Sequence, residues 1–321
     1  MFADRYAEWD DEATIAAVEA ALSHAGEVVR LEADADFPAR LREARPDIVF
    51  NLAEGMGGSS RESHVPALCE FWEIPYSGSD PLSLGICLDK ARAKECLTHH
   101  GIPTPGFEVI ESASALPTSL QLPVIVKPLH EGSSKGISQR SVCENWADVE
   151  REVRLIIETY GQPVIVERFL GGREFTVALL GNDGDCRILP IVELDLGTLP
   201  VDRHPVYGFE AKWIWDRPEE PLEIFQCPAR CSPELQSRIE AVAHAAYRRL
   251  RCRDWARIDI RCDADDNPYV LEVNPLPGVL PDPKANSCYP KAARAAGLSF
   301  DEMIIAVLRA ATTRYGIPLE A

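Results

Sequence analysis

The sequence lacks any apolar run approaching the ~18 residues of a membrane span. Its opening residues, MFADRYAEWDDEATI, have neither the basic nor the apolar region of a signal peptide. A cytoplasmic protein is expected. Positive charge is also scarce: 33 Lys and Arg stand against 51 Asp and Glu, a formal net charge of -18. Such an acidic surface repels phosphate backbones and anionic lipid, which sets nucleic-acid and membrane partners aside. No Cys-x-x-Cys pair occurs among the ten cysteines, and Cys227 and Cys231 have no second Cys or His pair at ligand spacing, so reduced core or surface thiols are expected. The Walker Gly-Lys-Ser/Thr and the Gly-x-Gly-x-x-Gly fingerprint are missing as well.

What is present is a chain of 321 residues, enough for two or three packed lobes. EATIAAVEAALSHAG has helical spacing and stops at Gly26; EVVRLEA and PDIVFNLAEG read as strands around another helical stretch. That alternation predicts an α/β lobe with a parallel sheet, lacking a strand before its first helix. ESHVPALCEFWEIPYSGSD and LDKARAKECLTHHGIPTPGFEVI each give a helix followed by a strand, and a boundary falls near Leu88. Beyond it, LPVIVKPLHEGSSKGISQRS reads strand, Gly/Ser loop, strand, and QPVIVERFLGGREFTVALLG reads strand, glycine turn, strand. A long helix, PELQSRIEAVAHAAYRRL, precedes a last hairpin. Thr198 to Glu223, rich in Pro, Gly and charge, is the candidate mobile loop.

The hairpin RIDIRCDADDNPYVLEVNP carries charge where strands normally bury apolar groups. Because strand side chains alternate faces, Arg257 and Asp259 share one face of the first strand, and Glu272 and Asn274 share one face of the second. A turn centred between Asp265 and Asp266 sets Asp259 opposite Glu272 and Arg257 opposite Asn274. Two carboxylates and an amide oxygen then form a hard donor set suited to Mg²⁺, with an arginine for an adjacent anion. A solvated face of mixed charge is the alternative. In KPLHEGSSKG, Lys127 ends an apolar strand and is followed by Gly132, Ser133, Ser134 and Gly136, which allow close approach of a phosphate; a glycine-rich hairpin turn is the plain alternative. In VIVERFLGGREFTV, Glu167 ends one strand and Glu174 opens the next, placed to accept from an adenine amino group or ribose hydroxyls, or simply to meet water.

Taken in order, LDKARAK, LPVIVKPLHEGSSKGIS, VIVERFLGGREFTVALLG, EAKW, RIDI and LEVNPLPG resemble the ATP-grasp superfamily and, within it, the D-alanine–D-alanine ligase family. The resemblance implies a three-lobed ATP-grasp architecture, α/β with α+β in the ATP-grasp part: a Rossmann-like lobe at 1–88, a central lobe at 89–171 and a C-terminal lobe at 172–321. It implies an ATP-dependent carboxylate–amine ligase working through an acyl phosphate. ATP would lie between two antiparallel sheets, with Lys90, Lys127, Ser133 and Ser134 at its phosphates, Glu167, Arg168, Phe169 and Leu170 at the adenine edge and Glu174 at the ribose. Lys212 would reach the γ-phosphate from a closing loop. Asp259, Glu272 and Asn274 would hold two Mg²⁺, for which Mn²⁺ can substitute, and Arg257 and the Gly278 amide would meet the tetrahedral oxyanion. Ser133 and Lys212 count as catalytic too. Small-molecule amino acids or amines are the implied partners, in a homodimer formed through the first lobe.

Departures from the family pattern gather on the substrate side. Its early Gly-Gly segment is missing, Glu54 stands where a histidine is usual, and Trp213 replaces a tyrosine. After Gly278 the stretch VLPDPKANSCYP is longer by three residues and brings Ser287 and Cys288 to the place of a Ser-Leu pair. These changes predict altered amino-acid specificity. The competing expectation is a nucleotide-binding protein that has lost catalysis and works through protein contacts.

Overall fold

Strand alternation from residue 107 onward builds two antiparallel sheets, each with one face packed against a helix. The computed structural model describes residues 9–112, 116–117, 119–199, 204–216 and 222–319, and of Trp213 the backbone alone.

The N-terminal part comprises α1 (Glu12–Leu22), α2 (Phe37–Ala44), α3 (His64–Phe71) and α4 (Pro81–Leu88). Asp11 caps α1 by accepting from the Thr14 amide at 2.8 Å. The parallel sheet expected here is reduced to one bridge, Val49 to Tyr76. The Val49 amide donates to the Pro75 carbonyl and the Ser77 amide to the Val49 carbonyl, both at 2.8 Å. EVVRLEA forms no strand, because no neighbouring strand among the described residues takes up its hydrogen-bonding groups. Phe37, Leu41, Val65, Cys69 and Tyr76 pack as a small core.

Then come α5 (Lys90–His99), β1 (Phe107–Ile110), β2 (Val124–Pro128), β3 (Val142–Cys143), α6 (Trp146–Tyr160) and β4 (Val164–Arg168), forming a four-stranded sheet of order β1-β4-β2-β3. The strand expected after the Gly/Ser loop is only the two residues of β3. Val124, Val126, Val164 and Val166 face Val149, Val153 and Ile156 of α6. Strand periodicity therefore turns Lys127 and Glu167 to the opposite side, toward α5.

The second sheet holds β5 (Glu174–Leu180), β6 (Arg187–Ile188), β7 (Val192–Leu194), β8 (Phe225–Gln226), β9 (Trp255–Cys262) and β10 (Pro268–Asn274), joined by α7 (Pro233–Arg249) and followed by α8 (Cys288–Ala295) and α9 (Phe300–Tyr315). Phe175, Val177, Leu179, Ile258 and Ile260 pack on Ile239, Ala243 and Ala246 of α7. The other face changes character along its length. At one end Ala178, Leu180 and Trp255 join α8, α9 and the α1 residues Val18 and Ala21 in a core; at the other end Glu174, Thr176, Arg257, Asp259 and Arg261 remain polar.

Candidate active site

The register of β9 with β10 decides which side chains meet. Glu272 lies opposite Asp259 and Asn274 opposite Arg257, as the alternation predicts, but nearer the tip Val270 faces Ile260. The turn is therefore centred on Asp265, with Asp266 in the left-handed region at φ 59, and a bulge at Leu271 takes up the extra residue. Without it Glu272 would pair with Ile258 and point into the core beneath α7. The bulge lets Val270 and Val273 both face that core while Glu272 and Asn274 stay on the polar side.

Asp259 is the hub of this face. Its carboxylate accepts from Thr176 Oγ1 at 2.8 Å, Arg257 at 3.0 Å and Asn274 Nδ2 at 3.2 Å. Ala178, paired with Arg257 across the sheet, leaves room for the guanidinium. Burial disfavours the Arg257 charge, but Asp259 and then Glu272 outweigh it and hold the proton more firmly than usual. Glu272 meets Lys90 Nζ at 3.0 Å. Burial pushes its carboxyl up, yet the charges of Lys90, Arg257 and Lys127 prevail and keep it below the usual range. Among the described residues no three His, Cys, Asp or Glu side chains converge as a metal cage. The hairpin offers two carboxylates and one amide, and that donor set fits a hard cation that completes its shell with phosphate and water.

Facing it is a cationic surface. Lys90 and Lys94, one helical turn apart on α5, point the same way with Lys127. Glu167, fully buried, accepts from Lys127 Nζ at 2.8 Å and lies 3.3 Å from Lys94 Nζ. Burial alone would raise the Glu167 carboxyl; Lys127 and Lys94 reverse that and hold it low. Lys94, which also donates to Thr104 at 2.9 Å, is lowered to about 8 by burial, against the pull of Glu167. Lys90 further donates to the Glu131 carbonyl, and Lys135 pairs with the Glu131 carboxylate.

The Gly/Ser loop is held in an uncommon conformation: Ser133 and Ser134 have φ of 51 and 59 and Gly136 of 69. A side chain at Gly136 would meet Pro128 Cγ at 2.5 Å. The segment 204–212 is folded against this loop. The Phe209 amide donates to the Ile137 carbonyl at 2.7 Å, Ser134 Oγ to the Tyr207 carbonyl at 2.9 Å, and Lys212 Nζ to Ser133 Oγ at 3.2 Å.

At the outer end, Glu174 pairs with Arg261 at 3.1 Å. Burial raises the Glu174 carboxyl, Arg261 offsetting part of it and Asp259 adding to it. The Arg261 guanidinium lies 4.7 Å over the Phe169 ring, and Arg168 stacks on Tyr269 at 5.1 Å; Leu170 is buried.

Ser287 Oγ donates to the Gly278 carbonyl at 3.1 Å and accepts from the Leu280 amide at 3.3 Å, so it shapes the loop around Gly278. Burial pushes the Cys288 thiol up to about 11, against the pull of the Arg257 charge. Glu54, half-buried, precedes Gly55, which is packed against the backbone of Arg61; Arg61 in turn donates to the His130 carbonyl at 2.9 Å beside the Gly/Ser loop. The Trp213 side chain lies outside the described residues, as do residues 200–203 and 217–221 of the expected mobile loop. A separate open groove of about 510 Å³, lined by Ser60, Ser63, Gly85, Asp89 and Arg92 among others, contains none of the residues singled out above.

A family model described as the D-alanine–D-alanine ligase C-terminus matches residues 97–309. The chain is 34% identical over 304 residues to the D-alanine–D-alanine ligase of Desulforudis audaxviator, covering 93% of this chain and 92% of that protein. It is 34% identical over 276 residues to the D-alanine–D-alanine ligase of Bordetella avium, covering 85% and 80%. The chain belongs to the D-alanine–D-alanine ligase family. It is an ATP-grasp ligase that forms C–N bonds. It is also 37% identical over 268 residues to an uncharacterized Sinorhizobium fredii protein, y4sG, covering 84% and 75%. Its fold matches that of the D-alanine–D-alanine ligase from Bacillus anthracis complexed with ATP, at a TM-score of 0.73 and 23% identity over 96% of this chain and 95% of that one.

Several residues of this ligase family member escaped the sequence reading. Lys94 had a readable signal, its four-residue spacing from Lys90 on one helix. Thr176 and Arg261 had another, their even spacing along strands from Glu174 and Asp259. Glu131 had none, because its partners Lys90 and Arg61 come from distant parts of the chain.

Proposed function

We propose that the protein joins an amino acid to a second amino acid or an amine through an acyl phosphate, using ATP and Mg²⁺. The observation that carries this is the single face on which Arg257, Asp259, Glu272 and Asn274 converge opposite Lys90. Lys90, Lys127, Lys212, Ser133 and Ser134 surround the phosphates. The Glu167 side chain is spent on two lysines, which leaves the backbone from Glu167 to Leu170 for the adenine edge, with Glu174 at the ribose. Asp259, Glu272 and Asn274 would hold the two Mg²⁺, whose charge neutralises the phosphate oxygens when bound.

An oxygen of the first substrate's carboxylate attacks the γ-phosphorus, the bond to the ADP oxygen breaks, and ADP leaves. The lysines stabilise charge spreading over the transferred group. The amine nitrogen then attacks the acyl carbon, the bond to phosphate breaks, and the nitrogen's proton passes to the departing phosphate. Arg257 is suited to the tetrahedral oxyanion because Asp259 fixes its direction and it stays charged. At Gly278 an added Cβ would meet nothing within 4 Å, so its amide can be approached closely. The 204–212 segment, folded over the Gly/Ser loop, keeps water from the acyl phosphate.

The amino-acid preference differs from two D-alanines. Glu54 brings a fixed charge, Trp213 a larger ring, and the longer loop after Gly278 a reshaped second subsite. A methyl group contributes only about 1–3 kcal/mol in such a pocket, so D-alanine fits at least one subsite poorly. A homodimer in the cytoplasm completes the reading, consistent with ten free cysteines. The test is phosphate release with a panel of amino acids and amines, followed by mass analysis of the product. Efficient D-alanyl-D-alanine formation from D-alanine alone refutes the altered specificity. Nucleotide binding with no ligation across the panel favours the non-catalytic alternative.

A further inference from the structure

Asn286 lies in the stretch by which this chain exceeds the family pattern after Gly278. Its Nδ2 donates to Asp216 Oδ1 at 2.7 Å and to the Leu222 carbonyl at 3.0 Å, and its Oδ1 accepts from Lys291 Nζ at 3.1 Å. Asp216 also accepts from the Tyr207 hydroxyl at 2.7 Å and the Leu222 amide at 2.9 Å. Burial, reinforced by Asp216, pushes the Tyr207 hydroxyl well up, so it remains a donor. Tyr207 belongs to the segment that touches Ser134 and carries Lys212 to Ser133. Ser287, the next residue after Asn286, holds the turn between Gly278 and Leu280.

One chain of hydrogen bonds thus runs from the serines of the Gly/Ser loop, through Tyr207 and Asp216, to the loop around Gly278. Asparagine suits the junction because it donates to a carboxylate and accepts from an ammonium at once, which neither aspartate nor lysine can do. We propose that Asn286 is a positioning residue that couples the 204–216 segment to the second-substrate loop, so that the segment seals the site only when that loop is in place. The inference rests on the ligase reading above.

Asn286→Asp keeps the shape, removes the donor and sets a second carboxylate against Asp216. Loss of one charge-assisted hydrogen bond corresponds to about tenfold in an equilibrium. Amide exchange across 204–216 should therefore quicken about tenfold in the full-length protein. In turnover, phosphate released per ligated product should rise above one, and KM for the second substrate should rise about tenfold while KM for ATP moves less than about twofold. The double exchange Asp216→Asn with Asn286→Asp restores a donor facing a carboxylate and should recover most of each effect. Unchanged exchange in Asn286→Asp overturns the coupling. Faster exchange with wild-type stoichiometry and KM overturns the positioning role and leaves only a structural tie. A wild-type protein that ligates nothing across the panel sinks the ligase reading, and the positioning role with it.

Discussion

Glu167→Gln removes one negative charge from a place without solvent while keeping the side chain's shape. Glu167 stands 2.8 Å from Lys127 Nζ and 3.3 Å from Lys94 Nζ, side chains only 9% and 1% exposed. The loss of a charge-assisted hydrogen bond to Lys127 costs about 1.5–3 kcal/mol. Lys94 has a way out. Its ammonium is already lowered to about 8 by burial, so without Glu167 it can release its proton. At pH 7 that limits its share to one pH unit, about 1.4 kcal/mol. The sum, about 3–4 kcal/mol, lies in the range for breaking a buried ion pair.

The pH dependence follows from the same group. In the wild type the folded protein binds Lys94's proton less tightly than the unfolded chain does. The penalty is therefore full below about 8 and fades as pH rises toward the unfolded value near ~10.4. In the variant that window opens at lower pH. The deficit should be widest below about pH 7 and should narrow by about pH 9 to the Lys127 share. Thermal unfolding at a series of pH values is the assay, with a fall of about 5–15 °C at pH 7. A midpoint within about 2 °C of wild type, or a deficit that widens with rising pH, would refute the reasoning.

Glu272→Gln should lower phosphate release by about 10²-fold or more, since it weakens a metal ligand and the partner of Lys90 without changing volume; near-normal turnover with an intact unfolding midpoint would dismiss the metal assignment. Protease cleavage within 204–216 should slow when an ATP analogue and Mg²⁺ are added, because the segment's contacts to Ser133 and Ser134 tighten over bound phosphate. Unchanged cleavage would mean that this segment is static.

The site was legible where chemistry follows strand parity. Arg257, Asp259, Glu272 and Asn274 could be put on one face from spacing alone, and the register confirms them. The bulge was legible in principle, since Val270 and Val273 are both apolar at a spacing of three where a regular strand demands two. The N-terminal strands were misread because apolar spacing reports a buried segment but not a hydrogen-bonding neighbour. The hold of Lys94 and Lys127 on the Glu167 side chain was not legible, because a sequence does not show which side chains of other elements meet it. Asn286 was invisible for the same reason: its partners lie 70 and 5 residues away along the chain, on opposite sides in sequence.

The packing of α1 on α9 carries a consequence for synthesis. Val18 and Ala21 are covered in part by Met303, Ile304 and Val307, so α1 finds that shelter only when α9 has left the ribosome. At ~5–20 residues per second the interval is roughly 15–60 s. Asp254 adds to the delay: it accepts from the Gly78 amide, 176 residues away, and from Arg314 near the far end of the chain, both at 2.8 Å. Throughout that interval the nascent N-terminal part shows apolar surface that only later residues cover, and it is there that a chaperone has most to do.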